Sequence, residues 1–402
     1  MNMVTPEEAG FSSERLQRFN SLMDGYVDSG MLAGIVTLLA REGEVFHFDK
    51  FGYQDIASLK PMELDTIFRF YSMTKPITSA AVMMLYEEGN FHLDYPVSRF
   101  IPELDGLKVY DGMGQAGARY VPQQNPITIR QLLTHTSGLS YGFYEDSPVE
   151  QMYQDANLSD PDSNLQEMIE KLSGMPLLSQ PGTAWRYSVA TDVLGRLVEI
   201  ISGESFDRFL KTRIFDPLGM DDTAFYVAED KLDRLASVYG PSENGGIEKL
   251  DNPGVNRYKK PLTNFSGGGG LTSTASDYLK FCQMMLDGGA AKGGHLLAPK
   301  TVELMTANHL PDDLMPYSVS EVGADFSQGC GFGLGFRVIL DIAEHGTLGT
   351  EGSYSWGGAA STVFWIDPVE ELVAIFLTQF MPSSQYAIRS EFQIATYQAM
   401  VE

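Results

Sequence analysis

The sequence predicts an α+β fold, with a central antiparallel sheet flanked by helices and a mostly helical lobe beside it. Three observations carry this reading. Strand patterns cluster near the two ends of the chain, at residues 34–53 and 332–380. Helical periodicity and loop residues fill the middle, from about residue 91 to 200. The steady strand–helix alternation of a parallel sheet is missing. One sheet built from both chain ends assigns residues 1–88 and 205–402 to an α/β lobe and 89–204 to the helical lobe, with a site expected between them.

Taken in order, Ser12 or Ser13 caps an opening helix whose apolar stripe is Leu16, Phe19, Leu22, Met23, Tyr26 and Val27. Residues 34–40 form a strand, and the Glu42-Gly43-Glu44 turn leads into a second one at 45–48 that runs on to Gly52 and Tyr53. His47 reads as a strand residue, packed or exposed, and not as a ligand. Tyr71-Ser72-Met73-Thr74-Lys75-Pro76 then opens a helix, with Ile77, Ala80, Ala81, Met84 and Leu85 on one face and Gly89-Asn90 as the stop.

Residues 127–133 start a short helix that should end near Gly138, and 165–172 form another. Residues 191–201 are amphipathic and stop at Ser202-Gly203; 206–214 continue in the same style to Gly219. A polar connection over 240–261 precedes Gly267-Gly268-Gly269-Gly270 and a helix at 276–286. No Gly-Lys-Ser/Thr follows the four glycines, so close backbone packing explains them better than phosphate binding. Residues 332–340, 361–366 and 372–380 read as strands, and a helix over 385–401 closes the chain.

The composition narrows the function classes. The 402 residues are 43% hydrophobic and 20% charged, enough for a large core. A formal net charge of −25 repels phosphate backbones, which argues against nucleic acid and anionic membrane surfaces as partners. The first eight residues show no basic start and no apolar run, so neither a signal peptide nor a membrane span is expected and a cytoplasmic location is the default. The two cysteines, Cys282 and Cys330, sit in apolar or glycine-rich settings and read as buried thiols. The scattered histidines lack metal-ligand spacing, so no metal is expected.

The chemistry gathers at Ser72 and Lys75. One helical turn puts a hydroxyl and an amine on the same side of a helix start, and Lys75 alone among the lysines has a serine three residues before it. A capping serine and a snorkelling lysine would give the same pattern without catalysis. A second motif competes. Gly138-Leu139-Ser140-Tyr141-Gly142 matches the G-x-S-x-G elbow of α/β-hydrolases, with His345 or His309 as the base it would need. That elbow requires a strand before the serine and a helix after it, whereas here a helix precedes and a loop over 141–146 follows.

Several stretches together resemble the serine β-lactamases and penicillin-binding proteins. Ser72-Met73-Thr74-Lys75 looks like their Ser-x-x-Lys. Residues 132–139 (Leu-Leu-Thr-His-Thr-Ser-Gly-Leu), 181–188 (Pro-Gly-Thr-Ala-Trp-Arg-Tyr-Ser) and 268–274 (Gly-Gly-Gly-Leu-Thr-Ser-Thr) are similar to family signatures in order and spacing, and Trp356-Gly357-Gly358 falls at the third motif. Within that family the chain resembles most the class C-like esterases called family VIII carboxylesterases. Where class C lactamases have Tyr-x-Asn it has Tyr187-Ser188-Val189, and Trp356 stands in place of the lysine of Lys-Thr-Gly. Val189 and Trp356 offer neither amide nor ammonium to a β-lactam, and favour an apolar acyl group.

The resemblance implies a serine nucleophile at Ser72, with Lys75 and Tyr187 as general base and acid in a hydrogen-bonded trio. It implies an oxyanion hole from the backbone N–H groups of Ser72 and Ala359, a substrate wall of Trp356, Gly357, Gly358 and Tyr141, and no metal or organic cofactor. The expected substrate is a small short- to medium-chain ester. A β-lactamase or D-Ala-D-Ala peptidase, an acyltransferase, and an inactive ligand-binding protein of the same fold are the alternatives.

Overall fold

The computed structural model describes residues 3–144, 146–314 and 328–402. Its centre is an eight-stranded antiparallel sheet. In chain order the strands are β1 (Gly34–Arg41), β2 (Glu44–Asp55), β3 (Lys60–Pro61), β4 (Cys330–Phe332), β5 (Arg337–Ile339), β6 (Tyr354–Gly357), β7 (Val363–Asp367) and β8 (Leu372–Leu377). Their spatial order is β4-β5-β6-β7-β8-β1-β2-β3, so the two chain ends meet where β1 pairs with β8, Val36 opposite Leu377. That junction is the sheet predicted from the sequence.

Both faces of the sheet are covered, and side-chain alternation divides them. Val36, Leu38, Ile375 and Leu377 face one core, against α2 (Thr74–Glu87) and the helix Ala275–Leu286. Ile35, Leu39, Ala374 and Phe376 face the other, against α1 (Ser13–Asp28) and the closing helix Ile388–Tyr397. Ser12 caps α1 by accepting from the Arg15 N–H. His47 is a buried strand residue whose Nε2 lies 2.8 Å from the Thr37 hydroxyl.

Four differences from the sequence expectations have physical causes. Residues 108–114 and 117–122 form a hairpin inside the region read as helical and loopy. It is largely exposed, so no apolar alternation marked it. The strand expected at 332–340 is two strands, β4 and β5, because Gly335 at φ +96 reverses the chain. The helix expected to run to Gly138 stops at Leu133. Residues 239–261 carry a short strand pair, Tyr239–Pro241 with Ile247–Lys249, and two consecutive helical turns, Pro253–Asn256 and Arg257–Lys259. Cys282 and Cys330 are both buried free thiols. Among the described residues no helix is long and apolar enough to cross a membrane.

Candidate active site

Ser72 sits in a tight turn, Tyr71–Met73, that runs directly into α2. Tyr71 before it has φ 46, left-handed backbone that a bulky residue enters at a cost of about 1–3 kcal/mol. An edge-on contact with Tyr258, ring centres 5.7 Å apart, helps hold it there. The strain turns Ser72 out of the helix and into the cleft. Nothing in the local sequence marks it.

Lys75, one turn on, is 1% exposed and ends in three oxygens. Its Nζ lies 2.6 Å from the Gly268 carbonyl, 2.9 Å from the Tyr141 hydroxyl and 3.2 Å from Ser72 Oγ. The Tyr187 hydroxyl lies 2.6 Å from Ser72 Oγ. Lys75 and Tyr187 do not bond each other directly: Nζ stands 4.5 Å from the centre of the Tyr187 ring. The expected trio is therefore a chain through Ser72, and Tyr141 closes the far side.

Tyr141 is more than the pocket wall the sequence suggested. Its phenol also stands beside the carboxylate of Asp192, in the first turn of the helix Ala190–Ser202, the two meeting over Gly268. Burial, and after it the Asp192 charge, raise the Tyr141 phenol well above its usual range, so it stays protonated. Asp192 in turn accepts from the Gly268 N–H at 3.1 Å and from the Ser266 hydroxyl. A Cβ on Gly268 would stand 2.4 Å from Asp192 Oδ2 and 2.5 Å from the Tyr141 oxygen. The glycine run is thus a packing device behind the lysine, as expected.

Behind Tyr187 stands His135, whose ring centre is 4.9 Å from the tyrosine ring and whose Nδ1 is 3.3 Å from the Ser188 hydroxyl. Burial, with a further contribution from the Lys75 charge, keeps that imidazole well below its ordinary pKa and so neutral. Trp356 packs on Tyr187 at 5.5 Å and edge-on to Phe332 at 5.4 Å. Sequence reasoning gave no separate role to His135 or Asp192, although His135 lies in a stretch it quoted and Asp192 is a carboxylate in an apolar helix turn.

All the predicted site residues except Lys75, which lies just beneath the surface, line one cleft of about 560 Å³. Ser72, Tyr141, Tyr187, Trp356, Gly357, Gly358 and Ala359 are all there, and among the described residues its charged lining is Arg257 and Arg389, with no carboxylate. Val189 is not part of that wall: it is 2% exposed and starts the helix Ala190–Ser202 from the core. The missing Cβ of Gly358 leaves room for the Phe70 carbonyl, 2.3 Å from where it would be. Among the described residues, neither the Ser72 nor the Ala359 N–H has a protein acceptor. No group of metal-ligating side chains occurs among the described residues either.

The competing elbow is dismantled by its own contacts. Ser140 is fully buried and bonds the Glu150 carboxylate, which Arg186 also holds at 2.7 Å. His309 is engaged by Arg130 and the Leu304 carbonyl, and His345 by the Cys330 sulfur. No strand precedes Ser140; of the loop expected after it, Glu145 lies outside the described residues.

Comparison with known proteins agrees with the geometry. A family model described as Beta-lactamase matches residues 19–398. Protein Rv1367c of Mycobacterium tuberculosis is 38% identical over 361 residues, 88% of each chain. Lovastatin esterase of Penicillium rubens is 31% identical over 365 residues, 87% of this chain and 89% of that one. Among solved structures, EstCE1, described as a hydrolase with promiscuous acyltransferase activity, superposes with a TM-score of 0.78 at 27% identity, covering 96% of this chain and 98% of its own.

Proposed function

The chain belongs to the beta-lactamase family, and within it we propose a serine carboxylesterase of the family VIII type, acting on short- to medium-chain esters through an acyl-enzyme on Ser72. The observation that carries this reading is the junction of Ser72 Oγ with both Lys75 Nζ and the Tyr187 hydroxyl, in a cleft with two unengaged backbone N–H groups. A serine hydroxyl attacks poorly until its proton has somewhere to go. With Gly268 and Tyr141 taking two positions around Nζ, the third faces Ser72.

In the first half-reaction the Lys75–Tyr187 pair accepts the Ser72 proton as Oγ bonds the ester carbonyl carbon. The carbonyl oxygen becomes an oxyanion held by the Ser72 and Ala359 N–H groups. On collapse the carbon–alkoxide bond breaks, and Tyr187 returns the proton to the departing alcohol. Water then attacks the acyl-enzyme by the reverse route, releasing the acid. The aromatic walls, Trp356, Tyr141 and Phe143, favour an apolar acyl group over the charged edge of a β-lactam. An alcohol replacing water would make the same site an acyltransferase, a reading favoured by the activity printed for EstCE1.

The test sets p-nitrophenyl butyrate beside nitrocefin, on wild type, Ser72→Ala and Ser140→Ala. The expected result is fast ester cleavage, slow nitrocefin cleavage, and loss of activity only in Ser72→Ala. Loss in Ser140→Ala alone would move the nucleophile to the elbow and overturn the reading.

A further inference from the structure

The Gly358–Ala359 peptide carries the Ala359 N–H at one end and the Gly358 carbonyl at the other. That carbonyl is not free. Arg389, in the first turn of the closing helix, donates to it from Nη2 at 2.6 Å, and from the same nitrogen to the Thr362 carbonyl at 3.1 Å. Thr362 also accepts from the Gly358 N–H at 2.9 Å, and Ser361 donates back to Gly358. Ser361 has φ 67, an unfavourable backbone for serine. One guanidinium thus locks both sides of the turn that contains Ala359.

The placement of this cation is expensive for a purely structural contact. A helix start is the positive end of the macrodipole and repels a guanidinium. Burial and the nearby Arg337 charge bring Arg389 down to about 10. Among the described residues no carboxylate pairs with it. Its bonds go to carbonyls that a neutral amide could have satisfied.

We propose that Arg389 is a positioning residue of the oxyanion hole, holding the Gly358–Ala359 peptide in place and polarising it from its carbonyl end so that the Ala359 N–H becomes a stronger donor. A charge-assisted bond is about twice as strong as a neutral one, and hydrogen bonds in series reinforce one another. The proposal rests on the esterase reading of the same cleft. It adds a residue that lies outside every motif in the sequence.

Arg389→Gln and Arg389→Lys test it, with kcat and KM on p-nitrophenyl butyrate, affinity for butaneboronic acid, and thermal stability. Losing one oxyanion donor outright typically costs about 10²–10³-fold, so weakening one should lower kcat about 10- to 100-fold. Arg389→Gln should show that fall with KM nearly unchanged and boronate affinity falling in step. Arg389→Lys, which keeps the charge, should recover much of the loss even if both variants melt at the same lower temperature. Unchanged kcat and boronate affinity in Arg389→Gln, or equal losses in Gln and Lys that follow stability alone, would overturn the assignment. Should wild type neither cleave the ester nor bind the boronate, the esterase reading falls, and this proposal with it. Should Arg389→Gln be too unstable to purify, the Lys variant decides: losses in KM alone reject the proposal.

Discussion

The Tyr141 hydroxyl and the Lys75 side-chain nitrogen are 2.9 Å apart, beneath the cleft, with the Tyr141 ring 5.2 Å from that of Tyr187. Lys75 donates to that hydroxyl, and the bond orients the lysine toward Ser72. Tyr141→Phe keeps the ring, including its parallel stack on Phe143 at 4.5 Å, and removes only that acceptor. A hydrogen bond to a charged group is worth about 1.5–3 kcal/mol, which predicts about a 10- to 100-fold drop in kcat. Steady-state kinetics on p-nitrophenyl butyrate checks it; a drop confined to KM would make Tyr141 a simple wall.

Gly268→Ala should damage activity more than stability. The new methyl lands within 2.5 Å of both Asp192 and the Tyr141 oxygen, and either must move. The Asp192 carboxylate also holds the Gly268 N–H, so the shift reaches the carbonyl that Lys75 bonds. The expected outcome is at least a tenfold loss of kcat with the melting temperature within a few degrees of wild type. An equal loss in Gly267→Ala would not test this contact, because that Cβ meets the Thr191 carbonyl instead.

Local pattern marks Ser72 and Lys75 at a helix start, whereas Tyr187, Trp356 and Ala359 were placed by the family resemblance. Ser72 and Lys75 are one helical turn apart, and Trp356 to Ala359 leave a strand whose partner, β7, is strongly apolar. Residues whose role comes only from tertiary contact stayed hidden. Asp192 approaches Tyr141 across two segments separated by about fifty residues of chain, and Arg389 meets Gly358 from a helix about thirty residues further on. The exposed hairpin at 108–122 was missed for the opposite reason: without a buried face, it has no hydrophobic period to detect.

Ser140→Ala separates the two serine motifs by stability as well as activity. Glu150 is 1% exposed and would lose one donor while keeping Arg186. Leaving a buried acceptor short of a partner costs about 1–3 kcal/mol. Thermal melts should show a lower transition temperature with ester turnover per folded molecule unchanged. Unchanged stability would mean that Arg186 and the Tyr144 N–H together satisfy the carboxylate.

Acid stability should depend on buried histidines. Burial lowers His47 to about 4 and His345 to about 4, and lowers His135 and His309 as well. In the unfolded chain a histidine takes up its proton near pH 6.5. Between that pH and about 4 the unfolded state binds more protons than the folded one, so stability rises with pH and is lost on acidification. For His47, which meets the Thr37 hydroxyl and the Phe19 ring and feels the Asp49 charge as a smaller opposing effect, the contribution is a few kcal/mol, about 1.4 for each unit of displacement. His47→Gln retains a partner for Thr37 and does not titrate. Denaturant melts from pH 7 to 4.5 should show wild type losing stability throughout, and the variant losing less over the same interval. Parallel curves for the two proteins would show that His47 is already protonated in the fold, or that its strand opens before it titrates, and either result rejects the buried neutral imidazole.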